Sequence, residues 1–155
     1  MNKKDKAYYV QEILHLKPEL WPQLLNITLP KADVIEFVAD KDSQKSLKPF
    51  LSYLTDEFSS RWRWQCKQFG DTNFFRFSLT PDLINYLLTV PKLDDWIDNY
   101  PEDPALYKDD EALLWTISHD GVVFVLLTEK ELHKLNASGF SLEKVDRSNP
   151  PTIRP

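Results

Sequence analysis

The residues of this sequence with the clearest chemical potential are the acidic side chains gathered between positions 94 and 111. That segment holds eight carboxylates and one lysine, a local net charge of −7 in a chain whose net charge is −5. The carboxylates are Asp94, Asp95, Asp98, Glu102, Asp103, Asp109, Asp110 and Glu111. Carboxylates can hold divalent cations, act in pairs as general acid and base, or attract a cationic partner.

The spacing of these acids argues against the first two roles. A calcium loop alternates its acidic ligands and needs a glycine at the sharp turn, and this segment contains no glycine. A hydrolytic carboxylate pair requires two acids set apart from the rest, and nothing in the spacing selects two of the eight. We therefore predict no metal site and no cofactor.

Aromatic residues lie among the acids and favour the third role, protein binding. Trp96, Tyr100 and Tyr107 fall inside the acidic segment, and interfaces combine aromatic anchors with charged rims. The alternative is purely structural: Leu93, Trp96, Ile97 and Tyr100 recur at helical spacing, so they could be the buried side of a short amphipathic helix with a solvated acidic side. Our prediction of an interface holds to the extent that the aromatic residues are exposed.

The other reactive side chains predict no catalytic residue. Cys66 is the single cysteine, which excludes an internal disulfide and a cysteine-based zinc site. The three histidines, His15, His119 and His133, lack the spacing of metal ligands. An enzyme of unrecognised type stays open as an alternative, because a pocket could gather His119 and Asp120 with the acids of 94–111.

A basic and aromatic stretch over residues 61–79 supplies a further alternative, a nucleic-acid-binding module. It begins "RWRWQCKQFGDTNFFRF", and basic residues interleaved with aromatics can mark a nucleic-acid surface. A stacking platform needs both residue types on one exposed face. The register predicted for this hairpin separates them, with Trp62 and Trp64 inward and Arg61, Arg63 and Arg76 outward, apart from an outward Phe74. The sequence therefore disfavours nucleic acid as a partner.

Turn residues and helix caps indicate the fold. Glycine-containing pairs at 70–71 and 120–121 predict two tight hairpins. The cross-strand neighbours they predict are Cys66 with Phe75 and Ile117 with Phe124. Thr80 and Thr128 are predicted N-caps, and Gly139 is a predicted helix stop. Further helices are predicted over 5–16, 18–27 and 43–58, and a strand within "ADVIEFVAD".

The order of these elements predicts an α+β fold with a mostly antiparallel sheet of about five strands, two tight hairpins and helices packed against the sheet. Residues 1–147 are predicted to form a single domain. Residues 148–155, "SNPPTIRP", are predicted to be a disordered tail, because three of the eight are proline.

The remaining features concern location. No apolar run approaches the ~20 residues that span a bilayer, and the first residues lack the apolar stretch of a signal peptide. A lone cysteine suits a reducing compartment. We therefore expect a cytoplasmic protein with no membrane association.

In small size, acidity and absence of a catalytic motif, the chain resembles the immunity proteins that bacteria encode beside polymorphic or contact-dependent toxins. The resemblance implies a non-catalytic inhibitor that masks a cognate basic toxin domain, often a nuclease. The eight acids would then steer and pair with basic residues of the toxin. Trp96, Tyr100 and Tyr107 would be the buried anchors.

Overall fold

The protein is built on an eight-stranded antiparallel sheet, seen in a computed structural model that describes residues 5–12, 19–63, 66–97 and 100–145. Its strands are β1 (Lys6–Glu12), β2 (Val34–Val38), β3 (Leu54–Arg63), β4 (Cys66–Ser78), β5 (Glu102–Lys108), β6 (Glu111–Ile117), β7 (Val122–Thr128) and β8 (Glu143–Lys144). They lie side by side in the order β3-β4-β2-β5-β6-β7-β1-β8. The α+β prediction is confirmed, but the sheet has eight strands rather than about five.

The described α-helices are α1 (Leu20–Thr28), α2 (Pro81–Thr89) and α3 (Glu129–Ala137), and 3₁₀ turns occupy Leu29–Lys31, Ser43–Tyr53 and Leu93–Asp95. Two helix starts are as predicted. The Thr80 side chain accepts a hydrogen bond from the Leu83 amide, and Thr128 and Glu131 form a capping box. Gly139 follows α3 with a φ of +118°, a conformation that side chains with a Cβ rarely adopt.

The two faces of the sheet are buried in different ways. On one face, which we call the helix-covered face, strand residues such as Ile35 and Phe77 share a large apolar cluster with Leu24, Leu83 and Leu135 of the three α-helices. The opposite face, which we call the strand face, holds a smaller cluster made of strand residues alone. Its members are Ala105, Tyr107, Ala112 and Trp115, with Tyr8, Val34 and Phe124 packed against them.

Two predicted helices are wrong. Residues 6–12 form strand β1, which pairs with β7 along its whole length, so the cross-strand ladder outweighs the apparent helical spacing of 5–16. Residues 43–58 split into the 3₁₀ turn Ser43–Tyr53 and the start of β3. Pro49 lies inside that turn, where its missing N–H and its ring oppose an α-helical ladder.

The first predicted hairpin is also wrong. Cys66 pairs with Arg63 at the ends of β3 and β4, so Gly70 lies within β4 instead of at a turn. Cys66 and Phe75 therefore belong to one strand. Between the pairs Ser60↔Thr72 and Trp62↔Lys67, β4 advances five residues while β3 advances two. The extra residues of β4 form a bulge, and Gly70 lies among them.

The second hairpin exists, with a longer turn than predicted. Ile117 pairs with Val122 and Trp115 with Phe124, so four residues, 118–121, connect β6 to β7. The register differs from the predicted one by two positions. Because side chains alternate with a period of two, this shift keeps every residue on its predicted face, and Ile117 and Phe124 still share the strand face.

None of the helices in the described residues is long and apolar enough to cross a membrane. The predicted tail, 148–155, lies outside the described residues.

Candidate functional site

The acidic segment begins where α2 ends. In place of the predicted helix over 93–100, the chain makes one 3₁₀ turn, Leu93–Asp95, closed by a hydrogen bond of 3.0 Å from the Trp96 amide to the Leu93 carbonyl. The predicted sidedness is nevertheless present. Leu93 and Trp96 are buried, whereas Asp94 and Asp95 are exposed.

Trp96 belongs to the core of the helix-covered face. Its ring stacks on Phe37 with centroids 5.4 Å apart and meets Tyr86 edge-on at 5.4 Å. None of its surface is exposed. The prediction that Trp96 is a partner-binding anchor is therefore wrong, because packing against these rings leaves nothing for a partner to contact.

A cavity of about 430 Å³ opens beside the two exposed aspartates, and we call it the acidic pocket. It is lined by Thr89, Val90, Pro91, Asp94, Asp95, Ile97 and Tyr100. Tyr100 is 39% exposed, and Leu88, next to the first lining residue, is 44% exposed. The pocket thus combines two carboxylates with accessible aromatic and aliphatic surface.

The next two acids, at the start of β5, have local partners. The Glu102 carboxylate lies 3.0 Å from Nε2 of His119 at the surface. Asp103 is buried, and its Oδ1 accepts a hydrogen bond of 2.6 Å from the Ser118 amide while its own amide donates to the Ser118 hydroxyl. Asp103 therefore fixes the connection between β6 and β7, and its predicted role in partner binding is wrong.

Three more acids lie at the opposite end of β5. Asp109 and Asp110 form a two-residue turn between β5 and β6, with φ values of 47° and 63°. Positive φ at both central positions is the signature of a type I′ turn, which aspartate tolerates. Both side chains are exposed, and Glu111 is partly buried. This tight hairpin was not among our predictions, although a polar pair between two apolar runs indicates one.

Tyr107 is the third predicted anchor, and it is buried. Its hydroxyl donates a 3.1 Å hydrogen bond to Glu36, whose other carboxylate oxygen accepts one of 2.6 Å from Nε of Arg76. The Arg76 guanidinium also lies 4.4 Å from the centre of the Tyr107 ring. We call Glu36, Arg76 and Tyr107 the buried polar cluster. The prediction that Tyr107 contacts a partner is wrong, because this cluster uses both its hydroxyl and its ring.

Burial and the Glu36 carboxylate together raise the pKa of Tyr107 well above its usual range. The phenol thus stays neutral and serves Glu36 as a hydrogen-bond donor. The cluster was absent from our sequence predictions. Its only signal is a charged residue in the middle of each of two apolar runs, "VIEFV" and "FFRF".

The structure therefore divides the acidic segment into two groups. Asp94, Asp95 and Glu102 lie towards the start of β5, and the turn formed by Asp109 and Asp110 lies at its end. The seven residues of β5 separate the two groups by about 20 Å. Asp98 lies outside the described residues. The acids that the sequence assigned to one partner-binding segment thus lie in two places, at the acidic pocket and at the turn formed by Asp109 and Asp110, which we call the acidic turn.

The basic stretch also differs from prediction. Arg76 was expected on a solvated face, but it is buried beside Glu36. Phe74, the aromatic residue expected beside the cations, is buried too and stacks on Phe58 with centroids 5.0 Å apart. Neither residue can offer an exposed base-stacking surface.

No group of three or more histidine, cysteine or acidic side chains within the described part of the chain is arranged to hold a metal ion. Comparison with protein-family models, with curated proteins and with solved structures finds no match to this chain.

Proposed function

We propose that this protein is a non-catalytic inhibitor that binds a basic protein through the acidic pocket, in the manner of an immunity protein neutralising a cognate toxin domain in the cytoplasm. The observation that carries the proposal is the pairing of two exposed carboxylates, Asp94 and Asp95, with the accessible Tyr100 ring around one cavity. In this role the pocket receives a lysine or arginine side chain of the partner.

Three physical effects support the proposal. Adjacent carboxylates repel one another, and a basic partner relieves that repulsion and is steered towards it. A cation between the carboxylates could also contact the face of the Tyr100 ring. Leu88 and Ile97 supply apolar surface beside the pocket, which an interface centre needs in addition to charge.

The test begins with affinity capture of the basic partner by the full-length chain, followed by binding kinetics. Replacing Asp94→Asn together with Asp95→Asn is expected to slow association roughly tenfold at low salt and to flatten its salt dependence, with dissociation little changed. Tyr100→Ala is expected to speed dissociation, since it removes contact area and little long-range charge, at a cost of about 1–2 kcal/mol.

The chain offers a matched control in the acidic turn. Asp109→Asn with Asp110→Asn changes the net charge equally, and asparagine tolerates the positive φ of both positions. This control is expected to leave association near that of the unmodified protein. The proposal is wrong if no basic protein is captured, or if the Asp94 and Asp95 variant associates as fast as the control at low salt while melting at an unchanged temperature.

A further inference from the structure

A second cavity lies on a different part of the molecule and has the opposite charge. It measures about 350 Å³ and is lined by Lys41, Gln44, Lys45, Leu47, Lys48, Leu51 and Phe75. We call it the lysine pocket. Three of its seven lining residues are cationic and none is acidic.

The 3₁₀ segment Ser43–Tyr53 places these residues together. Its first turn is fixed by Asp40, whose Oδ1 accepts hydrogen bonds from the amides of Asp42 and Ser43 at 3.0 and 2.8 Å. Side chains three residues apart eclipse one another in a 3₁₀ helix. Lys45, Lys48 and Leu51 therefore form one row along the segment, next to a row that contains Gln44 and Leu47.

The floor of the pocket is apolar. Leu47 and Phe75 are buried in the core, and Leu51 leaves 52% of its surface exposed. An exposed leucine beside a cavity is accessible to an apolar ligand group. The pocket thus joins a hydrophobic floor to a cationic rim.

The lysines are available to a ligand. Lys41, Lys45 and Lys48 are all exposed. Lys45 forms an ion pair with Asp42 at 3.9 Å, where the aspartate side chain is 91% exposed, and a pair at that distance and exposure contributes little. Glu57 is exposed and is the cross-strand neighbour of Phe75. Its negative charge therefore lies near the pocket and would repel an anionic ligand.

We propose that the lysine pocket binds a small organic anion with an apolar body, such as a medium-chain carboxylate. The carboxylate contacts the Lys45 and Lys48 ammonium groups, and the chain lies on Leu47, Leu51 and Phe75. The volume lies in the range of small-molecule sites. The proposal does not depend on the acidic pocket or on a protein partner.

The probe is octanoate, titrated into the isotopically labelled full-length chain and followed by backbone amide shifts. Shifts are expected over residues 41–51 and at Phe75. Octanamide has the same shape without the charge and is expected to bind about fivefold more weakly. Acetate has the charge without the chain and is expected to bind at least about tenfold more weakly.

Variants test the same two contributions. Lys45→Gln with Lys48→Gln is expected to weaken octanoate binding about fivefold. The matched control, Lys130→Gln with Lys134→Gln, changes two exposed lysines of α3 and is expected to have no effect. Leu51→Ser should weaken octanoate without weakening acetate, and Glu57→Gln should tighten octanoate.

Three outcomes would overturn the proposal. The first is that octanoate produces no shifts at residues 41–51. The second is that octanamide or acetate binds as tightly as octanoate. The third is that the two lysine double variants weaken octanoate equally, which would mean that net charge alone attracts it.

Discussion

The two faces of the sheet bury side chains of different chemistry, and they do so by different means. On the helix-covered face, Trp96 and Phe37 are enclosed by apolar neighbours and by helices. On the strand face, Glu36 and Arg76 are buried nearly as completely, although the cluster there contains strand residues alone. The first arrangement depends on volume and apolar area, whereas the second depends on each polar group finding a particular partner.

Because of this difference, we expect substitutions on the two faces to lower the free energy of unfolding in different ways. A non-directional apolar core loses stability in proportion to the area and volume removed. A buried ion pair can be replaced as a unit with little loss, but losing one member leaves the other charged and without compensation. The following predictions use substitutions and pH to test whether the two faces respond in these two ways.

Truncating Trp96 should give the largest effect. Trp96→Ala leaves a cavity among Phe37, Tyr86 and Tyr100 and is expected to lower the free energy of unfolding by about 3–5 kcal/mol. Urea denaturation followed by fluorescence measures it. Leu88→Ala, at an exposed position of α2, is the control and should cost far less. Equal losses from both substitutions would mean that Trp96 does not belong to the core.

Breaking the buried polar cluster should come next. Glu36→Gln removes the buried carboxylate and leaves Arg76 only the exposed Asp110 carboxylate, 3.7 Å away, so it is expected to cost about 3 kcal/mol. The double change Glu36→Met with Arg76→Met should cost less than Glu36→Gln alone, because no buried charge remains. If the double variant instead loses the sum of both single losses, the two residues contribute independently and the contrast between the faces fails.

Alkaline pH should weaken the strand face through Tyr8. Burial raises the pKa of Tyr8 to about 12, with Glu111 adding to the rise, whereas the usual value is 10.0. The unfolded chain therefore ionises first, so the stability from a neutral Tyr8 is present below pH 10.0 and lost as pH rises towards 12. With allowance for solvent screening, the unmodified protein should lose about 1 kcal/mol more than Tyr8→Phe over this window. Urea denaturation of both proteins at both pH values measures this difference. Equal losses of stability in the unmodified protein and in Tyr8→Phe would contradict the prediction.

Acid pH should weaken the helix-covered side slightly, through Glu131 of α3. Partial burial acts to raise its pKa, but hydrogen bonds from Lys31 and from the Thr128 amide outweigh that effect, so the pKa lies below 4.5. The corresponding stability is present above pH 4.5 and is lost as pH falls below it. Because the Lys31–Glu131 pair is partly exposed, the loss should stay under about 1 kcal/mol. Melting temperatures across this range should fall less for Glu131→Gln than for Glu129→Gln, which keeps the pair.

Local signals predicted the parts of the fold that depend on a few neighbouring residues. Thr80 and Thr128 cap their helices because the bonds involved span three residues. Gly139 stops α3 for a similar reason. The strand within "ADVIEFVAD" is β2, Val34–Val38. The register of β6 and β7 was wrong by two positions but preserved the faces, because alternation is itself a local property.

The errors over residues 6–12 and at Gly70 came from pairings between distant residues. Residues 6–12 carry a weak helical spacing, yet β1 gains a full ladder with β7. Gly70 carries a strong turn signal, yet it lies in β4, which pairs with both β2 and β3. At the candidate site, charge predicted that Asp94 and Asp95 are exposed. It could not show that Trp96 and Tyr107 are buried, because that depends on Phe37 and Glu36, far away in the sequence.

The position of β1 has a consequence for how the chain acquires its fold. β1 is among the first described residues, but in the sheet it lies between β7 and β8, and Lys6 pairs with Thr128. During synthesis β1 therefore cannot pair with β7 until nearly all of the described residues have been made. Such a long-range closure slows folding relative to a meander of adjacent strands. Its apolar residues also stay accessible to chaperones, or to another chain, until β7 emerges.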